Sequence, residues 1–93
     1  MTDDLRQRIE RAARVLKEHG AWEVYLFGSA ARDTMREGSD VDLAVEGLPP
    51  ERFFRAMACA PRALDRSLDL VDLDEDNPFT RNLRKWGRLQ RVA

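Results

Sequence analysis

The sequence predicts an α/β (α+β) fold in which a mixed sheet of three to four strands is flanked by helices. Short runs rich in branched and aromatic residues indicate strands at residues 22–27, 41–46 and 68–73. Apolar residues at helical spacing indicate helices at residues 3–19, 51–60 and 78–86. With 93 residues, the chain is expected to form a single domain, residues 1–93, with one modest core.

The first half of the chain should contain a long helix, two strands and a short helix. The helix from Asp3 to His19 has apolar residues on one stripe, with Thr2 or Asp3 able to cap its start and Gly20 able to end it. Between the first two strands, residues 30–35 should form a short helix that begins near Gly28. The partial positive charge of its N-terminus would then face this turn.

The second half should contain two more helices around the third strand. In the helix at residues 51–60, the residues expected in the core are Phe53, Phe54, Met57 and Ala58. Pro61 is expected to limit this helix. Asn77 should cap the last helix with Pro78 at its first position, and residues 89–92 should add a short edge strand. Cys59 is expected to be a small core residue.

The segment from residue 27 to residue 45 carries the chemistry. Asp40 and Asp42 lie two residues apart at the start of a strand, so their side chains project from the same face. The apolar residues that alternate with them, Val41, Leu43 and Val45, face the core. Magnesium prefers one or two carboxylates together with substrate phosphates, and the turn at Gly28 and Ser29 can present backbone N–H groups to such phosphates. The segment therefore predicts a site for a metal-bound nucleotide.

This pattern resembles the nucleotidyltransferase superfamily that includes DNA polymerase beta and kanamycin nucleotidyltransferase. The family pattern is an apolar residue, Gly-Ser, a spacer, and Asp-x-Asp between apolar residues. Here it reads Phe27-Gly28-Ser29, ten residues, and Asp40-Val41-Asp42-Leu43. The resemblance implies a small nucleotidyltransferase palm. The family's third carboxylate lies on a later strand, where Asp69 is preferred over Asp72 because its neighbours Leu68 and Leu70 then form the buried face.

The small size and the end of the chain look most like the minimal nucleotidyltransferases. Members of that group are often encoded beside a HEPN-domain toxin and act as its antitoxin. The resemblance implies that Asp40, Asp42 and Asp69 hold two Mg²⁺ ions and catalyse AMP transfer from ATP to a tyrosine of the HEPN partner. The nucleotide-binding residues that it implies are Gly28, Ser29, Arg32 and Ser39.

Several alternatives stay open at this stage. Ser29 is preferred over Ser39 as a phosphate ligand, and Arg32 either contacts phosphate or forms a surface ion pair. Many family members have Gly where this chain has Asp33, a carboxylate that either weakens phosphate binding or faces solvent. Trp86 either stacks on a base or partner, or anchors the core, and the core role is preferred. The chain as a whole is either an enzyme, a binding-only antitoxin or a nucleotide-sensing subunit.

Composition limits the partners and the compartment. With 16 basic and 17 acidic residues, nothing global attracts nucleic acid or a membrane, so no direct nucleic-acid binding is expected. No apolar run approaches the roughly 20 residues of a membrane span, and acidic residues near the start argue against a signal peptide. A cytoplasmic protein is expected, and whether it forms a homo- or hetero-oligomer stays open. Its one cysteine excludes a disulfide framework within the monomer.

Overall fold

The computed structural model describes residues 2–31 and 40–92. Helices and strands alternate along these residues. In chain order they are α1 (Asp3–Glu18), β1 (Glu23–Phe27), α2 (Gly28–Ala31), β2 (Val41–Glu46), α3 (Pro50–Leu64), β3 (Leu68–Asp72), α4 (Pro78–Trp86) and β4 (Gln90–Arg91). None of the helices in these two ranges is long and apolar enough to cross a membrane.

The four strands form one mixed sheet in the order β3-β2-β1-β4. Strand β1 pairs antiparallel with both β2 and β4, whereas β2 and β3 run parallel. Parallel neighbours need a crossover, and α3 provides it between β2 and β3. The predicted fold class, a mixed sheet flanked by helices, is confirmed. β4 is shorter than the expected strand at residues 89–92, since only Gln90 and Arg91 pair with β1.

The sheet is covered on both faces, but unequally. On one face, α1 and α3 pack over the sheet and form the main core, whose largest buried side chains include Leu16, Leu43, Leu48 and Leu64. On the other face, α4 contributes Leu83 to a smaller buried cluster with Phe27, Ala44 and Leu73. Strand β2 is therefore buried on both faces along most of its length, and only its first residues approach an open end of the sheet.

Helix α3 begins one residue earlier and ends four residues later than the sequence predicts. Pro61 therefore lies inside the helix. Proline removes one N–H donor and strains the turn before it, a cost that tertiary packing can offset. The extra turn buries Leu64 completely, and Asp65 follows as the C-cap, whose N–H donates to the carbonyl of Pro61 at 2.8 Å. The expectation that Pro61 would limit the helix is wrong because burial of Leu64 stabilises the longer helix.

Four side chains expected in the core lie at the surface instead: Phe54, Met57, Ala58 and Trp86. Phe54 is 81% exposed and Met57 is 38% exposed, because the buried stripe of α3 runs through Ala56, Ala60 and Leu64 at a spacing of four residues. Trp86 is 72% exposed, so its preferred role as a core anchor is also wrong. Of the remaining expectations, Phe53 packs partly against the core and Cys59 is half-buried.

The helix caps largely follow the sequence signals. Thr2 accepts a hydrogen bond from the N–H of Leu5, and Asn77 and Thr80 form a reciprocal capping box at the start of α4. Helix α1 ends with His19 as its C-cap, one residue before the expected Gly20, and the His19 ring lies 2.8 Å from the carbonyl of Val15. Helix α2 begins at Gly28, the turn where its N-terminus is expected, and residues 32–35 of the expected short helix lie outside the described part of the chain.

Candidate functional site

Two carboxylates lie side by side at one end of the sheet. Asp42, the second residue of β2, is the register partner of Asp69 on the parallel strand β3. Partners in register project from the same face of a sheet, and this face is the one opposite α1 and α3. On its other side, Asp42 is in register with Phe27, the last residue of β1. The pair therefore lies where β1 ends and β2 and β3 begin.

The surroundings of Asp42 disfavour its negatively charged form and raise its pKa. Burial raises the pKa of the Asp42 carboxyl, and the negative charges of Asp69 and Asp40 raise it further, as does a side-chain hydrogen bond with Asp69. A hydrogen bond between two carboxyl groups requires a proton on one of them. The pair is therefore arranged to take up positive charge, from a proton or from a cation.

Glycine is required at position 28 for two reasons. Gly28 has φ 71°, a left-handed conformation that side chains rarely adopt. In addition, a Cβ atom built there would overlap with the Oδ2 atom of Asp42. The carboxylate thus packs directly against the backbone at the start of α2, where Ser29 follows. This contact joins the Gly-Ser turn to the Asp-x-Asp motif in space.

The other predicted site residues do not belong to the Asp42–Asp69 pair. Asp40 is exposed and immediately precedes β2, close enough for its charge to act on Asp42. Arg32 and Ser39 lie in the segment between the two described ranges. Within those ranges, no three His, Cys, Asp or Glu side chains are arranged to hold a metal ion by themselves. The carboxylates of Asp42 and Asp69 are close enough to act on each other, and adjacent carboxylates suit magnesium when substrate phosphates supply further ligands.

Asp72 differs from Asp69 in orientation. Asp72 is in register with Val45, whose side chain belongs to the main core. Its side chain therefore leaves β3 on the face opposite to that of Asp69. Its Oδ1 accepts a hydrogen bond from the backbone N–H of Asp74 at 2.9 Å, which stabilises the turn after the strand. The parity argument thus separates the two residues as expected, with Asp69 beside Asp42 and Asp72 at a turn.

A cavity of about 830 Å³ adjoins this end of the sheet. Its lining joins the start of α2 to helix α4 and the connection between α4 and β4. The lining residues are Phe27, Gly28, Ala31, Phe79, Leu83, Trp86, Gly87, Arg88 and Gln90. Its volume falls in the range typical of small-molecule sites. The Gln90 side chain donates to the carbonyl of Ala31 at 3.2 Å and so links β4 to α2.

Sequence reasoning did not identify Phe79 or Gln90 as part of a site. Neither belongs to a motif, and Gln90 lies in a strand of only two residues. They reach the cavity only because β4 pairs with β1 and α4 crosses the same face of the sheet. No local signal in the sequence indicates that arrangement.

The family model described as "Polymerase beta, Nucleotidyltransferase" matches residues 10–89. No curated protein matches the chain. Among solved structures, a chain from a crystal structure of a toxin–antitoxin with AMP-PNP is similar in fold, with a TM-score of 0.74 and 24% identity. The match covers 95% of this chain and 72% of that chain.

Two further similar chains come from complexes of the same kind. One belongs to the toxin–antitoxin MntA–HepT, with a TM-score of 0.65, 21% identity, and coverage of 94% of this chain and 72% of that chain. The other belongs to tri-AMPylated Shewanella oneidensis HEPN toxin in complex with MNT antitoxin, with a TM-score of 0.65, 21% identity, and coverage of 94% and 71%. At these identities the likeness shows a shared fold.

Proposed function

Because this chain belongs to the polymerase beta nucleotidyltransferase family, we propose that it is a magnesium-dependent protein adenylyltransferase that acts in the cytoplasm as an antitoxin. It transfers AMP from ATP to the hydroxyl group of a tyrosine on a HEPN-domain toxin. Adenylylation then silences the toxin. The observation that carries this proposal is the Asp42–Asp69 pair, in register on parallel strands with Gly28 packed against Asp42.

The neighbouring structures support the choice of substrate and partner. One neighbour was crystallised with AMP-PNP, an ATP analogue, and another contains a HEPN toxin that carries AMP groups. The net charge of −1 offers no general attraction to RNA, which favours a protein as the acceptor. A tyrosine hydroxyl is the acceptor implied by the family resemblance.

In the proposed reaction, the acceptor oxygen attacks the α-phosphorus of ATP, the bond from that phosphorus to the bridging oxygen breaks, and pyrophosphate leaves. Asp40, Asp42 and Asp69 would hold magnesium, which neutralises the phosphates and lowers the pKa of the hydroxyl. Asp69 is exposed on the outer strand β3, so an incoming protein hydroxyl can reach it, and its carboxylate accepts the hydroxyl proton. Asp42, half-buried against Gly28, keeps the phosphate side of the site in place.

Mass spectrometry of a HEPN partner co-purified with this chain tests the proposal. After incubation with magnesium and ATP, the wild-type protein should add one or more AMP groups to the partner. Asp69→Asn should slow transfer strongly while retaining most of the affinity for ATP, because it removes the proton acceptor. Asp72→Asn is the matched control, since it changes the same residue type on the other face of β3 and should leave transfer unchanged. The reverse result would assign the third carboxylate to Asp72.

The rival function is neutralisation of the toxin by binding alone. Asp40→Asn separates the two, because it removes a proposed metal ligand from an exposed position and should leave the fold and the interface intact. The enzyme hypothesis expects this variant to bind the partner, to add no AMP, and to fail to protect cells. If Asp40→Asn protects cells as well as wild type does, neutralisation is by binding.

A further inference from the structure

The cavity beside Gly28 has a composition that differs from the carboxylate pair next to it. Two exposed aromatic residues contribute to its wall, Trp86, which is 72% exposed, and Phe79, which is 56% exposed. Among its described lining residues, Arg88 is the only one with an ionisable side chain, and Gln90 supplies an amide. Exposed aromatic faces with a cation and an amide nearby suit a flat heterocycle that carries negatively charged groups.

The order of the strands decides which substrate this cavity faces. In the order β3-β2-β1-β4, Asp42 on β2 has Asp69 on one side and Phe27 on the other. The cavity begins at Phe27 and reaches Gln90 on β4. It therefore lies about 5 to 10 Å from Asp42, given the spacing of neighbouring strands, on the side away from Asp69. An acceptor that approaches Asp69 leaves this cavity free.

Gly28 connects the two regions. Its backbone packs against the carboxylate of Asp42 and also lines the cavity. A nucleotide whose phosphates lie beside Asp42 can therefore extend its sugar and base directly into the cavity.

We propose that this cavity binds the base of the nucleoside triphosphate and that Trp86 stacks on it, with Arg88 and Gln90 at the edge of the subsite. This inference rests on the proposed function, because it names the part of the site that holds the nucleoside. It also accounts for a tryptophan left in solvent near the end of α4, where burial in a core would otherwise be favourable.

Neighbouring contacts keep the subsite in place. Lys85 lies with its Nζ atom 5.3 Å from the centre of the Trp86 ring, a cation–π contact that restrains the indole. Arg88 has φ 49°, a left-handed conformation that is uncommon outside glycine and that turns the chain from α4 into β4. The bond from Gln90 to Ala31 then fixes β4 against α2.

The two tryptophans of the chain provide a matched test by fluorescence. Trp22 is 75% exposed and packs against Gly47, away from the cavity. In Trp22→Phe the only tryptophan is Trp86, and magnesium-ATP should quench its emission. In Trp86→Phe the only tryptophan is Trp22, and the same titration should leave its emission unchanged. Quenching of Trp22 alone would overturn the inference.

Calorimetric binding measurements extend the test to affinity. Trp86→Ala should weaken ATP binding about tenfold, the scale of one lost base-stacking contact. Inorganic triphosphate, which has no base, should bind wild type and Trp86→Ala equally. Trp86→Phe should retain part of the ATP affinity, because it keeps an aromatic face.

The outcomes distinguish this inference from the function on which it rests. If Trp86→Ala binds ATP as tightly as wild type does, the base lies elsewhere and the nucleotidyltransferase function stands. If triphosphate binding weakens as much as ATP binding, Trp86 acts on the fold and the stacking role is overturned. If wild type binds neither ATP nor triphosphate in the presence of magnesium, the subsite and the proposed function both fail.

Discussion

Asp42 is held between two neighbours that restrict it in different ways. The backbone of Gly28 lies so close to the carboxylate that position 28 has no room for a Cβ atom. Asp69, the register partner of Asp42 on β3, shares a hydrogen bond with Asp42 and repels its charge. The side chain is thus positioned by steric contact on one side, while the repulsion from Asp69 on the other side favours binding of a cation.

The contact at Gly28 predicts the effect of adding one methyl group. Gly28→Ala should lower the free energy of unfolding by about 1–3 kcal/mol, because the residue keeps a left-handed conformation and its Cβ displaces Asp42. Urea denaturation measures the change. In an Asp42→Ala background the same substitution should cost less, since the overlapping carboxylate is gone. Equal costs in the two backgrounds would show that the backbone conformation alone requires glycine.

Asp42 also predicts a dependence of stability on pH. Its folded pKa lies above the ordinary value of 3.8, so the folded state holds this proton to higher pH than the unfolded chain does. Stability contributed by Asp42 is therefore lost as the pH rises above that value. Asp42→Asn should match wild type near pH 3 and become more stable by about a few tenths of a kcal/mol near pH 7, a scale typical of exposed charge pairs.

A second carboxyl group provides a control of opposite sign. The ion pair with Arg81 lowers the pKa of Asp76, so Asp76 contributes stability above the unfolded pKa and loses it as the pH falls. Asp76→Asn should therefore reduce stability near pH 7 and have little effect at low pH. Urea denaturation of both variants across this range measures the two slopes. Slopes of the same sign would contradict the assignment.

Among the elements, α3 shows how packing overrides a local signal. Pro61 would end an isolated helix, but α3 continues past it because Leu64 is fully buried on the stripe that includes Ala56 and Ala60. Because this stripe faces the core, the helix is rotated so that Phe54 lies on its outer side. A one-residue error in the assumed stripe is enough to exchange a core residue for a surface residue.

This assignment of the α3 stripe predicts unequal effects of two truncations. Leu64→Ala should reduce the free energy of unfolding by about 2–5 kcal/mol, since it removes a fully buried side chain. Phe54→Ala should change it by less than about 0.5 kcal/mol, although it removes more atoms, because Phe54 is 81% exposed. Chemical denaturation measures both values. A larger loss for Phe54→Ala would place the helix in the rotation first expected from the sequence.

At the scale of the whole molecule, the sheet divides the protein into a structural side and a candidate functional side. Helices α1 and α3 bury one face almost completely. Helix α4 covers only part of the other face and leaves the Asp42–Asp69 pair and the adjoining cavity at its edge. A ligand can therefore bind there without opening the main core.

Binding to this native site should stabilise the molecule as a whole. At a magnesium-ATP concentration a hundredfold above Kd, linkage predicts about 2.7 kcal/mol of added stability, which raises the Tm. Scanning calorimetry measures the shift, and chelation of magnesium should remove most of it if the carboxylates need the cation to accept phosphate. An unchanged Tm at saturating magnesium-ATP would count strongly against a working nucleotide site.

The sequence by itself determined the elements and the composition of the motif. Periods of two and of 3.6 residues are local, so they identified the three main strands and the three long helices, and the parity of β3 distinguished Asp69 from Asp72. The family resemblance carried by residues 27 to 45 is confirmed by the match to the family model and by the similar structures. These inferences needed no knowledge of contacts between distant residues.

Only the tertiary structure decided which elements meet. It placed Asp42 in register with Asp69, packed Gly28 against the Asp42 carboxylate, and brought Trp86 and Gln90 to one cavity. It also carried α3 past Pro61 and left Trp86 exposed. The physical reason is that strand order and side-chain burial depend on the free energy of packing between segments far apart in the chain, and a local pattern does not contain that term.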